Sequence, residues 1–190
     1  MPSMKFTLVK GMHMNKRKSK IKWMLLFFAI ALLAVLADQY TKYLAIERLQ
    51  GKEAFPLIKG VLEFQFFSNT GMAWSLLEGQ SFFILFIGLI FLAVMLFCIF
   101  KLPDGKKFHI LYVFGGILTG GAIGNMIDRL RLGYVVDFIS FSLINFPIFN
   151  VADMCIVISI VVLGYLFLFV YKEEDMSFLN FKQKKFREVK

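Results

Sequence analysis

The sequence predicts an all-α membrane protein with four transmembrane helices and a small sheet outside the bilayer. Three observations carry this prediction: the composition, the length of four apolar runs and the uneven distribution of positive charge. Of the 190 residues, 58% are hydrophobic, 18% are charged and 24 are phenylalanine. Soluble proteins average roughly 45–50% hydrophobic and about 25% charged residues. A soluble fold of this size cannot enclose so much apolar surface, so lipid must cover much of it.

The same composition excludes two other classes of protein. The chain is too apolar to remain disordered. It contains only two cysteines, Cys98 and Cys155, and each lies inside an apolar run without a CxxC partner. A disulfide framework is therefore excluded, and both cysteines are interpreted as small hydrophobic residues of membrane helices.

Four stretches reach the roughly 20 apolar residues that a helix needs to cross a bilayer. The predicted spans are Trp23 to about Leu44, Ser81–Phe100, Ile110–Ile127, and about Ile148 to Tyr171. A secretory signal peptide is a poor interpretation of the first run, because Asp38 and Lys42 follow it in place of a small-residue cleavage site and more spans come later. We divide the chain into a basic tail (1–22, with 1–13 interpreted as an extension upstream of the native start), a membrane domain (23–171) and a second tail (172–190).

Positive charge is concentrated on one side of the predicted spans. The segment Met1–Lys22 carries a charge of +7, and the segments Lys101–His109 and Lys172–Lys190 carry +2 each. The two intervening segments, Asp38–Gln80 and Asp128–Phe149, carry −1 and 0. Since basic loops stay in the cytoplasm, both termini are predicted inside and both neutral segments outside. The basicity thus reflects topology and contact with anionic lipid, and nucleic acid is not expected as a partner.

Both outer segments are unusually apolar. The stretch Phe55–Phe67 alternates in part between apolar and polar residues, with Gly60 as a turn candidate, which predicts a short hairpin or small sheet on the membrane surface. Its Phe and Leu side chains are expected to rest on lipid headgroups. The stretch Leu130–Pro147 is predicted to lie at the membrane interface.

Glycine recurs every four residues in the third span, at Gly116, Gly120 and Gly124, with Gly115 and Gly121 beside them. At helical spacing these glycines form a smooth strip that favours close helix packing. The alternative is a groove that admits a bulky substrate chain, and the two interpretations are compatible.

Polar residues near the ends of the spans are the strongest functional signal. An ionisable residue inside a membrane span costs roughly 2.5–3.5 kcal/mol on insertion scales and usually marks function. The polar clusters are Asp38–Lys42, Asn69–Ser75, Gly124–Arg129 with Gly133–Phe138, and Phe149–Asp153. Asp38 and Lys42 lie four residues apart and are predicted to form a structural ion pair, with substrate or lipid contact as the alternative. The Arg129 guanidinium suits the orientation of a carbonyl or carboxylate.

Asp137 and Asp153 form the candidate catalytic pair. Both lie at the outer membrane edge, and Asp153 has no basic residue within helical reach on its own span. Two carboxyl groups close together in a low dielectric share a proton, so that one activates water while the other polarises a carbonyl. The alternative is that each aspartate pairs separately with Arg129, Arg131 or Lys42.

Other chemistries are less consistent with the sequence. Both histidines, His13 and His109, lie on the predicted cytoplasmic side. A Ser-His-Asp triad or a histidine metal site at the outer face is therefore not available. No metal or organic cofactor is expected.

The four clusters together resemble those of the bacterial lipoprotein signal peptidases, also called signal peptidase II. The matching motifs are Asp38-Gln39-x-Thr41-Lys42, Asn69-Thr70-Gly71-x-Ala73, Gly124-Asn125-x-x-Asp128-Arg129 with Val135-x-Asp137-Phe138, and Phe149-Asn150-x-Ala152-Asp153. They occur in this order within Trp23–Tyr171. Trp74 and Met154 depart from the residues common in the family at those positions.

The resemblance implies a fold, an activity and roles for individual residues. The fold is four transmembrane helices with a small extracytoplasmic β-cradle and an interfacial outer segment. The activity is that of an aspartic endopeptidase that removes the signal peptide from diacylglyceryl-modified prolipoproteins in the cytoplasmic membrane. Asp137 and Asp153 are the implied catalytic pair. Residues implied to line the site or orient the substrate are Asn69, Gly71, Ala73, Gly121, Asn125, Arg129, Val135, Asn150 and Ala152. Residues implied to support the fold are Asp38, Lys42 and Asp128.

The family resemblance also implies inhibition by the cyclic peptide globomycin, and a monomer suffices for a dyad within one chain. Two other functions remain open on the residues alone. One is a small transporter or channel in which the two aspartates relay protons, which predicts ion flux without cleavage. The other is a protein that binds the lipid-modified cysteine without cutting.

Overall fold

The computed structural model describes residues 3–71 and 79–179, with side chains described from residue 19 onward. Four helices in these residues are long and apolar enough to cross a membrane. The helices are α1 (Ser3–Leu49), α2 (Ser81–Lys101), α3 (His109–Leu132) and α4 (Val151–Tyr165). A π-helical turn, Leu166–Val170, extends α4 to the length of a span. The prediction of a four-span, mainly helical protein is confirmed.

The third helix is the centre of the bundle. It contacts all three other helices, and half of its apolar stretch is buried inside the protein. The apolar stretches of the other helices are less than one-fifth buried, and side chains such as Phe82 and Leu168 are 90% and 77% exposed. Exposed apolar surface on this scale is what a lipid-facing bundle presents.

The helix ends differ from the predicted spans at functionally important places. The first helix continues to Leu49 and the third to Leu132, so Asp128 and Arg129 lie in the last turns of α3 and not in the outer segment. Gly133, with a φ of 82°, then ends α3 in a left-handed C-cap. The fourth helix begins at Val151, three residues later than predicted.

Three strands of the described residues form one antiparallel sheet in the order β1–β2–β3. The strands are β1 (Phe55–Ile58), β2 (Leu62–Asn69) and β3 (Val135–Ser140). The predicted hairpin is confirmed as β1 and β2, with Gly60 in the turn at a φ of 72°. The third strand was not predicted; the sequence placed Leu130–Pro147 at the interface without a strand.

The register of the sheet brings two polar residues of distant segments together. Asn69 at the end of β2 pairs with Val135, and Phe67 pairs with Asp137. Asn69 and Asp137 are therefore diagonal neighbours on one face of the sheet. Beyond β3 lies a 3₁₀ turn, Ser142–Ile144, and exposed apolar residues lie in and after it, including Leu143 and Phe146.

The glycine strip of α3 is covered by neighbouring helices. A Cβ atom at Gly116 would lie 2.8 Å from the Phe27 carbonyl oxygen, and one at Gly120 would lie 2.6 Å from that of Ala31. Gly121 faces α4, where a Cβ atom would lie 2.6 Å from the Ala152 carbonyl oxygen. The strip is thus a close-packing surface, and the idea that these glycines form an open substrate groove is wrong.

Gly120→Ala tests this packing. The added methyl group would force α1 and α3 apart, so we expect a loss of roughly 1–3 kcal/mol in the free energy of unfolding, measured in detergent. Gly164→Ala is the matched control, because a Cβ atom at Gly164 meets nothing within 4 Å. Equal stability of the two variants would contradict the close contact between α1 and α3.

Candidate active site

The predicted polar residues gather at the end of the bundle that carries the sheet. Five elements contribute to this group: α1, β2, α3, β3 and α4. The residues that are buried or nearly so are Asp38, Lys42, Asn125, Asp128, Asp137 and Asn150. A set of buried polar groups this dense requires a partner for each, and the hydrogen bonds described below provide them.

Lys42 lies at the centre of the network and is 2% exposed. Its ammonium group contacts three acceptors: Asp38 Oδ2 at 2.8 Å, Asp128 Oδ2 at 2.9 Å and Asn125 Oδ1 at 2.8 Å. An ammonium group has three protons to donate, so its hydrogen-bonding capacity is fully used. The predicted ion pair between Asp38 and Lys42 is present and has a third member, Asp128.

The two carboxylates around Lys42 also anchor other elements. Asp38 Oδ1 accepts a hydrogen bond of 2.9 Å from the backbone N–H of Ala152, at the start of α4. Asp128 Oδ2 accepts one of 3.1 Å from the backbone N–H of Val136, in β3. Gln39 donates to Asp128 Oδ1 at 2.8 Å and to Asp38 Oδ2 at 3.3 Å. One ionic cluster therefore joins α1, α3, α4 and β3.

Lys42 also sets the orientation of the Asn125 side chain. Only the amide oxygen of Asn125 can accept from the ammonium group, so its NH2 group must point the other way. That NH2 group donates a hydrogen bond of 2.8 Å to Asp153 Oδ1. The buried cation thereby supports a hydrogen-bond donor aimed at one of the two candidate catalytic aspartates.

Asp153 and Asn150 form a reciprocal cap at the N-terminus of α4. The Asn150 side chain accepts from the Asp153 backbone N–H at 2.9 Å, and Asp153 Oδ2 accepts from the Asn150 backbone N–H at 3.1 Å. This is a capping box, in which two unpaired donors of the first turn are satisfied. Asp153 also lies at the positive end of the helix dipole, which favours a carboxylate.

Asp137 is almost completely buried, with 1% of its surface exposed. Asn69 donates to its Oδ2 at 2.9 Å, and Asn150 donates to its Oδ1 at 2.6 Å. Burial, and next the nearby charge of Asp153, raise the pKa of the Asp137 carboxyl from its ordinary value of 3.8 to about 7. The two asparagine hydrogen bonds and Lys42 oppose this rise.

One buried side chain thus connects the two aspartates. Asn150, with no exposed surface, contacts Asp137 through its side-chain amide and Asp153 through both backbone and side chain. Among the described residues, neither aspartate forms an ion pair with Arg129, Arg131 or Lys42. The geometry therefore favours a coupled pair over two separately neutralised carboxylates.

Arg129 reaches from α3 to the turn that follows β2. Its Nη2 donates to the Gly71 carbonyl oxygen at 2.7 Å, and its Nη1 donates to the Asn125 carbonyl oxygen at 3.4 Å. Its Nε is buried and has no hydrogen-bond partner among the described residues. The Gly71 N–H in turn donates to Asn69 Oδ1 at 2.9 Å, which orients the amide that contacts Asp137.

The remaining predicted site residues lie in different surroundings. Val135 is 2% exposed within β3, and Ala152 is fully buried against Gly121. Their contacts are those of backbone and helix packing, and the substrate contact predicted for them stays a prediction. Ala73 and Trp74 lie outside the described residues.

Two contributors to the site have no role predicted from the sequence. Gln39 bridges Asp38 and Asp128, and the Val136 N–H holds Asp128. The Asn-x-x-Asp spacing of Asn150 and Asp153 is the pattern of a capping box and was a usable signal for the start of α4. Gln39 offers no comparable signal, because its role depends on the approach of α3.

Fold and site together define a multi-pass membrane protein with a paired-carboxylate site at one end of a four-helix bundle. A model of the family described as Signal peptidase (SPase) II matches residues 30–169. A lipoprotein signal peptidase of Caldanaerobacter subterraneus is 42% identical over 141 residues, 74% of this chain and 94% of that protein. One of Enterococcus faecalis is 41% identical over 149 residues, 78% of this chain and 88% of that protein.

A solved structure of a bacterial membrane enzyme gives a TM-score of 0.69 at 31% identity, covering 86% of this chain and 94% of that chain. A second bacterial membrane enzyme structure gives a TM-score of 0.67, also at 31% identity, covering 76% and 94%. This chain belongs to the signal peptidase II family. It is therefore a peptidase and a multi-pass protein of a bacterial membrane.

Lys42→Met tests the importance of the ionic cluster. Without the ammonium group, two buried carboxylates lose their counter-ion, and we expect a loss of about 3–5 kcal/mol in the free energy of unfolding in detergent. Lys107→Met is the matched control, since Lys107 pairs with Asp175 at the opposite end of the bundle and both are partly exposed. That change should cost no more than about 1 kcal/mol. A Lys42 variant as stable as the Lys107 variant would refute a buried ionic cluster.

Proposed function

We propose that this protein is an aspartic endopeptidase that removes the signal peptide from diacylglyceryl-modified prolipoproteins. The observation that carries the proposal is the pair of Asp137 and Asp153, which come from β3 and α4 and contact one buried asparagine, Asn150. The family relationship supports the substrate class, because the relatives are lipoprotein signal peptidases. No cofactor enters this mechanism.

The surroundings of the two carboxyl groups support different roles in hydrolysis. Burial raises the pKa of Asp137 to about 7, so a substantial fraction of the molecules retain this proton near neutral pH, and the protonated form donates a hydrogen bond to the scissile carbonyl oxygen. Asp153 is only partly buried, caps a helix N-terminus and accepts N–H donors on both oxygens. This exposure to the site and these contacts suit Asp153 as the general base that takes a proton from the attacking water.

The proton transfers of one turnover return both carboxyl groups to their starting states. Water adds its oxygen to the carbonyl carbon, its proton passes to Asp153, and the Asp137 proton stabilises the carbonyl oxygen of the tetrahedral intermediate. Collapse of this intermediate breaks the C–N bond, and the proton on Asp153 passes to the leaving amine. The product acid and amine are released, and the dyad again holds one proton.

Arg129 and the Asn69–Gly71 turn are proposed to orient the substrate. The Arg129 Nε is the one buried guanidinium nitrogen without a hydrogen-bond partner among the described residues. A substrate backbone carbonyl oxygen would satisfy it. Gly71 contacts Asn69 and Arg129 through its backbone, and without a side chain this backbone can approach a bound peptide closely.

The charge distribution supports the orientation in the membrane. The tail that precedes the first span has a charge of +7, whereas the segments that carry the sheet and the dyad are neutral or slightly acidic. By the positive-inside rule, both termini are cytoplasmic and the dyad lies at the extracytoplasmic surface. There the lipid-modified cysteine of a precursor would be anchored.

Asp137→Asn and Asp153→Asn are each expected to lower the rate of precursor cleavage by about 10²–10⁴-fold, because each removes a group that transfers or holds a proton. Cleavage is followed by gel shift with a diacylglyceryl-modified precursor and purified, folded protein, and globomycin serves as a competing ligand. Glu47→Gln, an exposed carboxylate at the same end of the bundle, is the matched control. Near-normal cleavage by either aspartate variant would remove that residue from the chemistry.

The pH dependence of kcat/KM tests the assignment of Asp137 as the acid. Activity should be present while Asp137 is protonated and should fall as pH rises through about 7. Asn69 donates to the ionised form and so lowers the pKa of Asp137, and its removal raises that pKa. Asn69→Ala should therefore move the alkaline limb of the profile to higher pH.

Ser68→Ala is the control for this experiment, because Ser68 precedes Asn69 on the opposite face of β2. The alkaline limb of the pH profile of Ser68→Ala should coincide with that of the parent protein. An alkaline limb that stays in place or moves to lower pH in Asn69→Ala would show that Asp137 is not the protonated partner.

A further inference from the structure

A groove of about 450 Å³ lies between the end of α1 and the sheet. Its apolar wall includes Leu44 and Ala45 from α1, Phe64 from β2 and Phe138 from β3. Successive side chains of a strand point to opposite faces, so Phe138 faces away from the side of β3 that carries Asp137. The groove is therefore separate from the candidate active site.

The rim of this groove is basic. Arg48 and Lys52, both exposed, line one end of it, and Glu53 lies beside them. Neither cation forms an ion pair with any described residue. The groove thus combines an apolar wall with two unpaired positive charges at one end, which is the complement of an anionic headgroup joined to an acyl chain.

The position of the rim along α1 matches the depth of lipid headgroups. Trp23 lies near the opposite end of the span, where aromatic residues mark the membrane interface. Arg48 follows 25 residues later, which places it roughly 37 Å further along the helix axis. The hydrocarbon layer is about 30 Å thick, so the guanidinium lies among headgroups while Leu44 lies near the hydrocarbon edge.

The neighbouring strand extends the apolar surface toward lipid. Phe55, Leu57 and Ile58 of β1 are each more than half exposed, and Phe55 also lines the groove. Such an apolar edge at headgroup depth is stable when it rests in the membrane interface. The apolar edge beside the groove is therefore suited to contact with the bilayer interface.

We propose that this groove binds one anionic phospholipid, with its phosphate at Arg48 and Lys52 and an acyl chain against Leu44, Phe64 and Phe138. The lipid fills the space between α1 and the sheet and holds the sheet on the membrane surface. This inference does not depend on the proposed peptidase mechanism.

The test is native mass spectrometry of the full chain in detergent, titrated with phosphatidylglycerol or phosphatidylcholine. We expect one tightly bound phosphatidylglycerol and at least tenfold weaker binding of phosphatidylcholine. The double variant Arg48→Gln/Lys52→Gln should bind phosphatidylglycerol about 10- to 30-fold more weakly, since each basic residue near an anionic lipid surface strengthens binding about fivefold. Lys59→Gln/Arg131→Gln removes two charges at the same end but outside the groove and should bind like the parent protein.

Three results would overturn the proposal. The first is unchanged binding by Arg48→Gln/Lys52→Gln. The second is equal binding of the two lipids. The third is displacement of phosphatidylglycerol, one for one, by a diacylglyceryl-modified precursor peptide, which would assign the groove to the substrate. Retained cleavage activity in the double variant, with weakened lipid binding, would separate this site from the dyad.

Discussion

The structure depends on the burial of one ammonium group, that of Lys42, at the end of a lipid-facing bundle. A buried charge is costly unless geometry and hydrogen bonds compensate for it fully. Here Asp38, Asp128 and Asn125 take all three protons, and the two carboxylates also accept from Gln39 and from backbone N–H groups of α4 and β3. The cluster can be satisfied only when four elements are in place, so it couples assembly of the fold to assembly of the site.

Two asparagines connect this ionic cluster to the candidate catalytic pair. Lys42 orients Asn125, whose amide donates to Asp153, and Asn150 donates to Asp137 while capping α4. Asparagine suits both positions because its amide offers an acceptor on one side and donors on the other. The ionic cluster and the two aspartates are thus joined by neutral groups, and neither aspartate forms an ion pair in the part of the chain that the structure describes.

Much of this arrangement was predictable from the sequence, and what was not depends on contacts between distant segments. Apolar length and charge asymmetry predict the four helices, and the spacing of Asp38 and Lys42 predicts their pairing. Strand β3 was missed because Val135–Ser140 is buried almost throughout and lacks a polar-apolar alternation. The roles of Gln39 and of the Val136 N–H depend on how α1, α3 and β3 pack together, and no local sequence pattern predicts that packing. The glycine spacing indicated close packing but not which helix covers each residue.

The different roles proposed for the two aspartates, acid and base, follow from the elements that carry them. A strand residue whose side chain points into the bundle, as in Asp137, loses its hydration and receives only side-chain donors, so its neutral form is favoured. Asp153, at the third position of α4, accepts from the backbone N–H of Asn150 and lies at the positive end of the helix dipole, so its surroundings differ from those of Asp137. In the proposed mechanism, it is this difference between a strand position and a helix N-terminus that separates the acid from the base.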